Sequence, residues 1–233
     1  MSDLSQILAE RCVLVVDDER FSRSIICRFL NDLGRIESVQ AKDGAEGLTM
    51  LAAPEGAKIA AVVCDFNMPV INGLQFLKAI RTGLESRIPR DLPVVMLTGH
   101  SDLGLVGAAL ALDIDAFVVK PVSKSNLESR LTRALGDRQG IKASDIYTKI
   151  DVDSVSDRLL RGGGTKANPA VTHKGMRVPL SDLKTGSVLA EDLLAPSGDL
   201  LLAAGIAISE RMVRRLQELP SLGVMLEHVW IEG

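Results

Sequence analysis

Four apolar runs in this chain each end in a different kind of polar group. Val13-Leu14-Val15-Val16 ends in Asp17-Asp18-Glu19, and Ala60-Ala61-Val62-Val63-Cys64 ends in Asp65. Val94-Val95-Met96-Leu97 ends in Thr98-Gly99, and Phe117-Val118-Val119 ends in Lys120-Pro121. A carboxylate at the end of a buried strand is costly unless something compensates it. Paired acids, a third acid, a hydroxyl and an amine are the parts of a site for a divalent metal and a phosphoryl group. A hard cation such as Mg2+ takes oxygen ligands and keeps several waters; Asp18 and Asp65 could bind it directly, with Asp17 helping through water. A carboxylate can also attack phosphorus to give an acyl phosphate. Phosphoryl transfer requires that the equatorial oxygens be positioned and neutralised. The Lys120 ammonium and the Thr98 hydroxyl suit two of those oxygens, and Gly99 leaves space and offers a backbone N–H.

Taken singly, each residue has a plainer reading. Asp17-Asp18 reads as a solvated loop with Asp18 capping a helix. Thr98-Gly99 reads as a turn, Lys120 as a surface lysine, Phe117 as core and Asn67 as a turn residue. His100, His173 and His228 are scattered and receive no role. The joint pattern outweighs these readings.

Strand-like and helix-like stretches alternate over residues 11–136. Strand 13–16 leads to a helix near 20–33, with Phe21, Ile25, Phe29 and Leu33 one turn apart and Gly34 as C-cap. A weak strand at 36–39 leads to a helix near 43–53. Strand 59–64 leads to a helix over Leu74–Arg81, and strand 93–97 to a helix near 102–112. Strand 116–119 leads to a helix near 124–135, capped by Ser123 and carrying Leu127, Leu131 and Leu135. This alternation predicts parallel βαβ units. The continuously apolar runs predict strands covered on both faces. Ligands of such sheets bind beyond the carboxyl ends of the strands, where all four polar groups lie.

The segments VLVVDDE (13–19), VVCDFNMPVINGLQFL (62–77), VVMLTG (94–99) and FVVKP (117–121) resemble the receiver domain of two-component response regulators. The resemblance covers roughly residues 11–136. It implies an α/β fold, a five-stranded parallel doubly wound sheet of the flavodoxin-like kind. It implies that Asp65 accepts a phosphoryl group from a histidine kinase or phosphotransfer protein. Asp17, Asp18, Asp65 and the backbone carbonyl of Asn67 would then ligate Mg2+. Thr98, Gly99 and Lys120 would contact the phosphate, with Thr98 and Phe117 as switch residues. The Lys120-Pro121 bond is expected to be cis. The implied function is phosphorelay signalling by a phosphoacceptor with at most slow self-dephosphorylation. The helix at 102–112 bears no charge from Gly104 to Leu112; it reads either as deeply packed or as a face for a partner or a second copy.

Residues 137–175 turn polar, with Gly162-Gly163-Gly164 and Ala167-Asn168-Pro169, and read as a linker. A short helix or docking segment fits Asp145–Leu160. Residues 176–233 read as a small α+β, β-rich module: a hairpin of 188–190 and 200–202 around Pro196-Ser197-Gly198-Asp199, a helix from Ser209 to Leu219, and a strand over Val224–Ile231. At under ~60 residues its core is marginal, and it is expected to lean on a partner. Residues 176–219 resemble a module found beside receiver and HD-type phosphohydrolase domains in bacterial signalling proteins. The expected output is a downstream protein contact or homodimerisation. The alternative is a phosphorylation-controlled effector binding a nucleotide or nucleic acid through this module. Arg211, Arg214 and Arg215 would serve that alternative, although a solvated helix face is the plainer reading.

Bulk composition sets the outer bounds. The chain has 233 residues, 46% hydrophobic but only 3% aromatic, so its core must be aliphatic. Net charge is -3, and neither half is basic: residues 1–136 hold 15 Lys+Arg against 17 Asp+Glu. That balance argues against a nucleic-acid footprint. Cys12, Cys27 and Cys64 are too few and too scattered for a disulfide framework or a metal pair. No apolar run approaches the ~18 residues that span a bilayer, and a cytoplasmic location is expected.

Overall fold

The computed structural model describes residues 3–99, 103–136, 141–153, 175–194, 200–222 and 226–233. They fall into two compact units, one from residues 1–99 and 114–149, the other from residues 100–113 and 150–233.

The first unit is built on strands β1 (Cys12–Val16), β2 (Glu37–Ala41), β3 (Ile59–Asp65), β4 (Val94–Thr98) and β5 (Ala116–Val119). All pairings are parallel, in the order β2-β1-β3-β4-β5. This is the flavodoxin-like doubly wound order, whose direction of winding reverses beside β1. Every residue of β1, β3 and β4 is buried, as the uninterrupted apolar runs predict.

Helices α1 (Asp3–Ile7), α2 (Arg20–Asp32) and α6 (Lys124–Gly136) contribute to one core with alternate strand residues. Val13, Val15, Val63, Val95, Leu97 and Val118 pack there with Ile26, Leu30, Leu127 and Leu131. On α2 the buried line is Ile26, Leu30 and Leu33, while Phe21 is 71% exposed. Of the expected series, Leu33 is buried and Phe29 packs against this core, but each four-residue step advances about 400°, so the series drifts round the helix and Phe21 at its start faces solvent. Ser123 caps α6 as expected, its hydroxyl accepting from the Asn126 amide at 3.3 Å.

Helices α3 (Gly44–Ala52) and α4 (Gly73–Thr82) complete the surroundings of the sheet. Asn72 and Gln75 form a reciprocal capping box at the start of α4. Gly73 stands directly against the end of β3: a Cβ there would lie 2.7 Å from the Asp65 carbonyl oxygen and 2.9 Å from the Phe66 Cα. Only glycine lets α4 begin so close to the strand that carries Asp65.

The far end of α4 is fixed by a buried cation. Arg81 is fully buried and pairs with Asp115 at 2.6 Å. It also donates to the carbonyls of Arg90 and Leu92 at 2.7 and 2.9 Å. Asp115 accepts from the Val94 amide at 2.8 Å. The network thus pins α4 to the amino ends of β4 and β5. Residues 141–149 also belong to this unit. Helix α7 (Ser144–Thr148) buries Tyr147 completely. The Tyr147 hydroxyl accepts from the Lys142 amide at 2.8 Å, and Ser144 donates to the Thr82 carbonyl at the end of α4 at 2.5 Å. The docking segment expected within the linker is therefore present at its start, and Gly162-Gly163-Gly164 and 167–169 lie outside the described residues.

The second unit combines helix α5 (Leu103–Ala111) with the C-terminal module. Strand β6 (Met176–Pro179) pairs antiparallel with β9 (His228–Ile231), and β7 (Leu193–Leu194) with β8 (Leu200–Leu202). The first arm of the hairpin is therefore Leu193–Leu194 rather than 188–190. Val188 and Leu189 form single bridges to Ala207 and Ile231 instead. The intervening turn at 196–199 lies outside the described residues, as do residues 224–225 of the expected closing strand. Helix α8 (Glu210–Glu218) is capped by Ser209, whose hydroxyl accepts from the Met212 amide at 3.1 Å.

Removing one member of a buried ion pair leaves the other uncompensated. Asp115→Ala is therefore expected to lower unfolding stability by about 3–5 kcal/mol. Urea denaturation checks this, and a loss below about 1 kcal/mol would contradict the structural role given to the pair.

Candidate functional site

In-register parallel strands bring the four polar groups to one edge. Val16 aligns with Cys64, Cys64 with Met96 and Asp65 with Leu97, while Thr98 aligns with Val119. Asp17 and Asp65 therefore leave adjacent strands side by side, with Thr98 and Lys120 one step further on. Carboxylate oxygens of Asp17, Asp18 and Asp65 lie within 4.8 Å of one another. Asp17 is fully buried, Asp65 is 6% exposed, and Asp18 is exposed.

The Lys120 ammonium reaches between two of them, 2.9 Å from Asp65 and 3.4 Å from Asp17. The Lys120-Pro121 peptide is cis, as the sequence resemblance implies. Thr98 is buried, and its hydroxyl donates to the Gly99 carbonyl at 3.1 Å. Phe117 is buried in β5, aligned with Met96. Asn67 lies two residues beyond β3 and is exposed.

Two further residues shape the site. Ser22 donates its hydroxyl to the Asp17 carboxylate at 2.7 Å. Arg23 donates to the Asp17 carbonyl at 2.5 Å. The Glu19 amide lies 2.8 Å from the other carboxylate oxygen of Asp17, so Ser22 and this amide fix the carboxylate while Arg23 fixes the backbone that bears it. Sequence reasoning passed over them, although their position in the first turn of α2 after the paired acids was the available signal.

Burial drives the electrostatics. Desolvation pushes the Asp65 carboxyl up from its ordinary value to about 6, and the nearby Asp17 charge adds to it. The Lys120 hydrogen bond and charge oppose this without cancelling it. Burial alone would pull Lys120 down, but its bond to Asp65 and the fields of Asp65 and Asp17 raise it above an ordinary lysine. One ammonium shared by two carboxylates is over-supplied with counter-charge, while the carboxylates are under-supplied. Three carboxylates facing one ammonium leave an excess of two negative charges, which a divalent cation matches. All-oxygen donors suit a hard ion. The neighbouring Cys64 thiol is pushed well up by its complete burial, and then by Asp65 and Asp17, so it is inert packing.

Residues 13–132 match the family model described as the response regulator receiver domain. The chain is 32% identical over 133 residues to a chemotaxis protein CheY homolog of Campylobacter jejuni, spanning 57% of this chain and 98% of that protein. It is 33% identical over 124 residues to chemotaxis protein CheY1 of Helicobacter pylori, spanning 53% and 96%. A solved response regulator receiver domain protein from Clostridium thermocellum is 28% identical, with 54% of this chain and 94% of that chain covered and a TM-score of 0.49. Among the described residues, no helix is long and apolar enough to cross a membrane.

The raised Asp65 value has a signed consequence. Between pH 4 and about 6 the folded chain holds a proton on Asp65 that the unfolded chain has released. Stability contributed at this position therefore falls as pH rises through that window, and the deficit is complete at pH 7. Asp65→Asn removes the deficit. It is expected to raise unfolding stability by about 1–3 kcal/mol at pH 7, with the gain vanishing near pH 4. Denaturant titrations at the two pH values check this, and an equal effect at both would contradict it.

Proposed function

Because the chain belongs to the response regulator receiver domain family through residues 13–132, we propose that it is a phosphorelay switch with Asp65 as the phosphoacceptor. The observation that carries this reading is the convergence of Asp17, Asp18, Asp65 and Lys120 at one sheet edge. An Asp65 carboxylate oxygen forms a new P–O bond as the P–N bond of a phosphohistidine breaks. The donor is a histidine kinase or phosphotransfer protein, and the electron pair of the broken bond stays on the imidazole nitrogen. With a value of about 6, Asp65 is mostly ionised at pH 7 yet poorly solvated, which suits a nucleophile.

Lys120 holds its ammonium where the incoming phosphoryl oxygens gather. Asp17, Asp18, Asp65 and the Asn67 backbone carbonyl would hold Mg2+. When bound, the ion supplies the remaining charge neutralisation at phosphorus. Ser22 and the Glu19 amide keep the Asp17 carboxylate oriented, and Arg23 holds the Asp17 main-chain carbonyl. The Thr98 hydroxyl and the Gly99 N–H are the further donors to phosphate. As Thr98 turns toward the phosphoryl group it vacates space, and Phe117 follows; these two are the switch. Phosphorylation adds about two negative charges, and the chain stores that state rather than turning over a substrate.

The output we favour is protein–protein contact. Arg211 and Arg215 are buried. Arg211 donates to the Asp113 carbonyl, and Arg215 to Glu218. Arg214 pairs with Glu210. The cluster is thus neither the solvated face expected from its sequence nor arranged to present three cations to a nucleic acid.

Beryllofluoride with magnesium mimics an aspartyl phosphate. A bound 19F NMR signal is expected for the full chain, lost in Asp65→Asn. Lys120→Ala is expected to weaken binding about 10- to 100-fold, the cost of one charge-assisted hydrogen bond. A signal that persists in Asp65→Asn would overturn the assignment.

A further inference from the structure

Lys120 stands between two carboxylates, but not midway. Its ammonium is 2.9 Å from Asp65 and 3.4 Å from Asp17. The longer distance lies outside the ordinary range for an N–H donor. Asp17 is nonetheless the more deeply buried acid, at 0% exposure against 6% for Asp65. Burial by itself would give the ammonium to the carboxylate with less access to water. Another donor therefore serves Asp17.

That donor is Ser22. Its hydroxyl has one proton to give, and gives it to Asp17 Oδ2 at 2.7 Å, the same oxygen that faces Lys120. The other oxygen, Oδ1, accepts from the Glu19 amide at 2.8 Å. Each oxygen of Asp17 thus has a short bond from a neutral donor before Lys120 is counted. Ser22 sits in the first turn of α2. Its neighbour Ser24 takes the ordinary course of a helical serine and donates one turn back, to the Arg20 carbonyl at 2.9 Å. Ser22 instead reaches out of its own helix, to the residue that follows β1.

We infer that Ser22 is a positioning residue for phosphoryl acceptance: by satisfying Asp17 Oδ2 it keeps the Lys120 ammonium on the Asp65 side of the site. The inference rests on the reading of Asp65 as the phosphoacceptor. An ammonium held close to Asp65 alone is already where phosphoryl oxygens arrive. Its transfer to them costs Asp17 only a long contact. Without the Ser22 hydroxyl, Oδ2 is a fully buried oxygen whose remaining donor among the described residues is Lys120. A buried acceptor left without a partner is costly. The ammonium is then drawn toward Asp17, and a phosphoryl group on Asp65 must compete for it.

Beryllofluoride titrated into the full chain and read by 19F NMR tests this, with magnesium raised until binding no longer changes. Alanine is a strong helix former, so Ser22→Ala keeps α2. Ser22→Ala is expected to weaken beryllofluoride binding about fivefold, the worth of one hydrogen bond. Ser22→Thr retains the hydroxyl and is expected to stay within about twofold of the native chain. In a Lys120→Ala background, Ser22→Ala is expected to cost less than about twofold, because the ammonium it steers is gone. A crystal structure of Ser22→Ala without metal is expected to show the ammonium nearer to Asp17 than to Asp65. Equal affinity of Ser22→Ala and the native chain overturns the inference and leaves the Asp65 reading standing. So does a loss in Ser22→Ala that Ser22→Thr shares, or one that persists in full when Lys120 is alanine; so does an ammonium that stays nearer to Asp65 in the crystal. A bound signal that is missing from the native chain, or that survives Asp65→Asn, removes the Asp65 reading and the inference with it.

Discussion

A carboxylate that has lost most of its water but not its charge governs this molecule. Asp65 ends a fully buried strand, and its desolvation outweighs the ammonium 2.9 Å away. Several features converge on that strand end. Asp17 is held by a hydroxyl, an amide and a share of Lys120. Gly73 allows α4 to start against the Asp65 backbone. The cis bond after Lys120 lies at the same strand end. This excess of negative charge at the strand ends is what the proposed binding of a cation and a phosphoryl group rests on.

The same chain places balanced and unbalanced charge at opposite ends of the sheet. At the amino ends of β4 and β5, Arg81 and Asp115 are buried against each other and their hydrogen bonds go to backbone carbonyls and an amide. At the carboxyl ends, the carboxylates of Asp17, Asp18 and Asp65 outnumber the Lys120 ammonium.

Much of this was legible because the chemistry required particular residue types at strand ends. The runs before Asp17, Asp65, Thr98 and Lys120 predicted both the parallel sheet and the edge at which those groups meet. Helix faces were harder. Repeating apolar residues at every fourth position on α2 suggested Phe21 as core, yet the helical phase turns it to solvent. In the small module, Val188–Ala190 looked like a strand arm, but only isolated bridges form there and Leu193–Leu194 takes the pairing. Short strands of similar composition compete for the same partner, and propensity does not choose between them. The arginines of α8 misled for a different reason. A charge is read as solvated by default, whereas Arg211 and Arg215 are buried because a carbonyl and a carboxylate receive them. Ser22 and Arg23 were harder to recognise as site residues, because their role depends on the first turn of a helix folding back onto Asp17.

The central claim is chemical: one carboxylate, Asp65, carries the phosphoryl group. An acyl phosphate is reduced by borohydride, whereas a free carboxylate is not. The direct measurement is therefore to phosphorylate the full chain with a small acyl phosphate and magnesium, reduce with borohydride, and map the product by peptide mass spectrometry. The account predicts homoserine at position 65. Homoserine at another acidic position, with residue 65 unchanged, would contradict it.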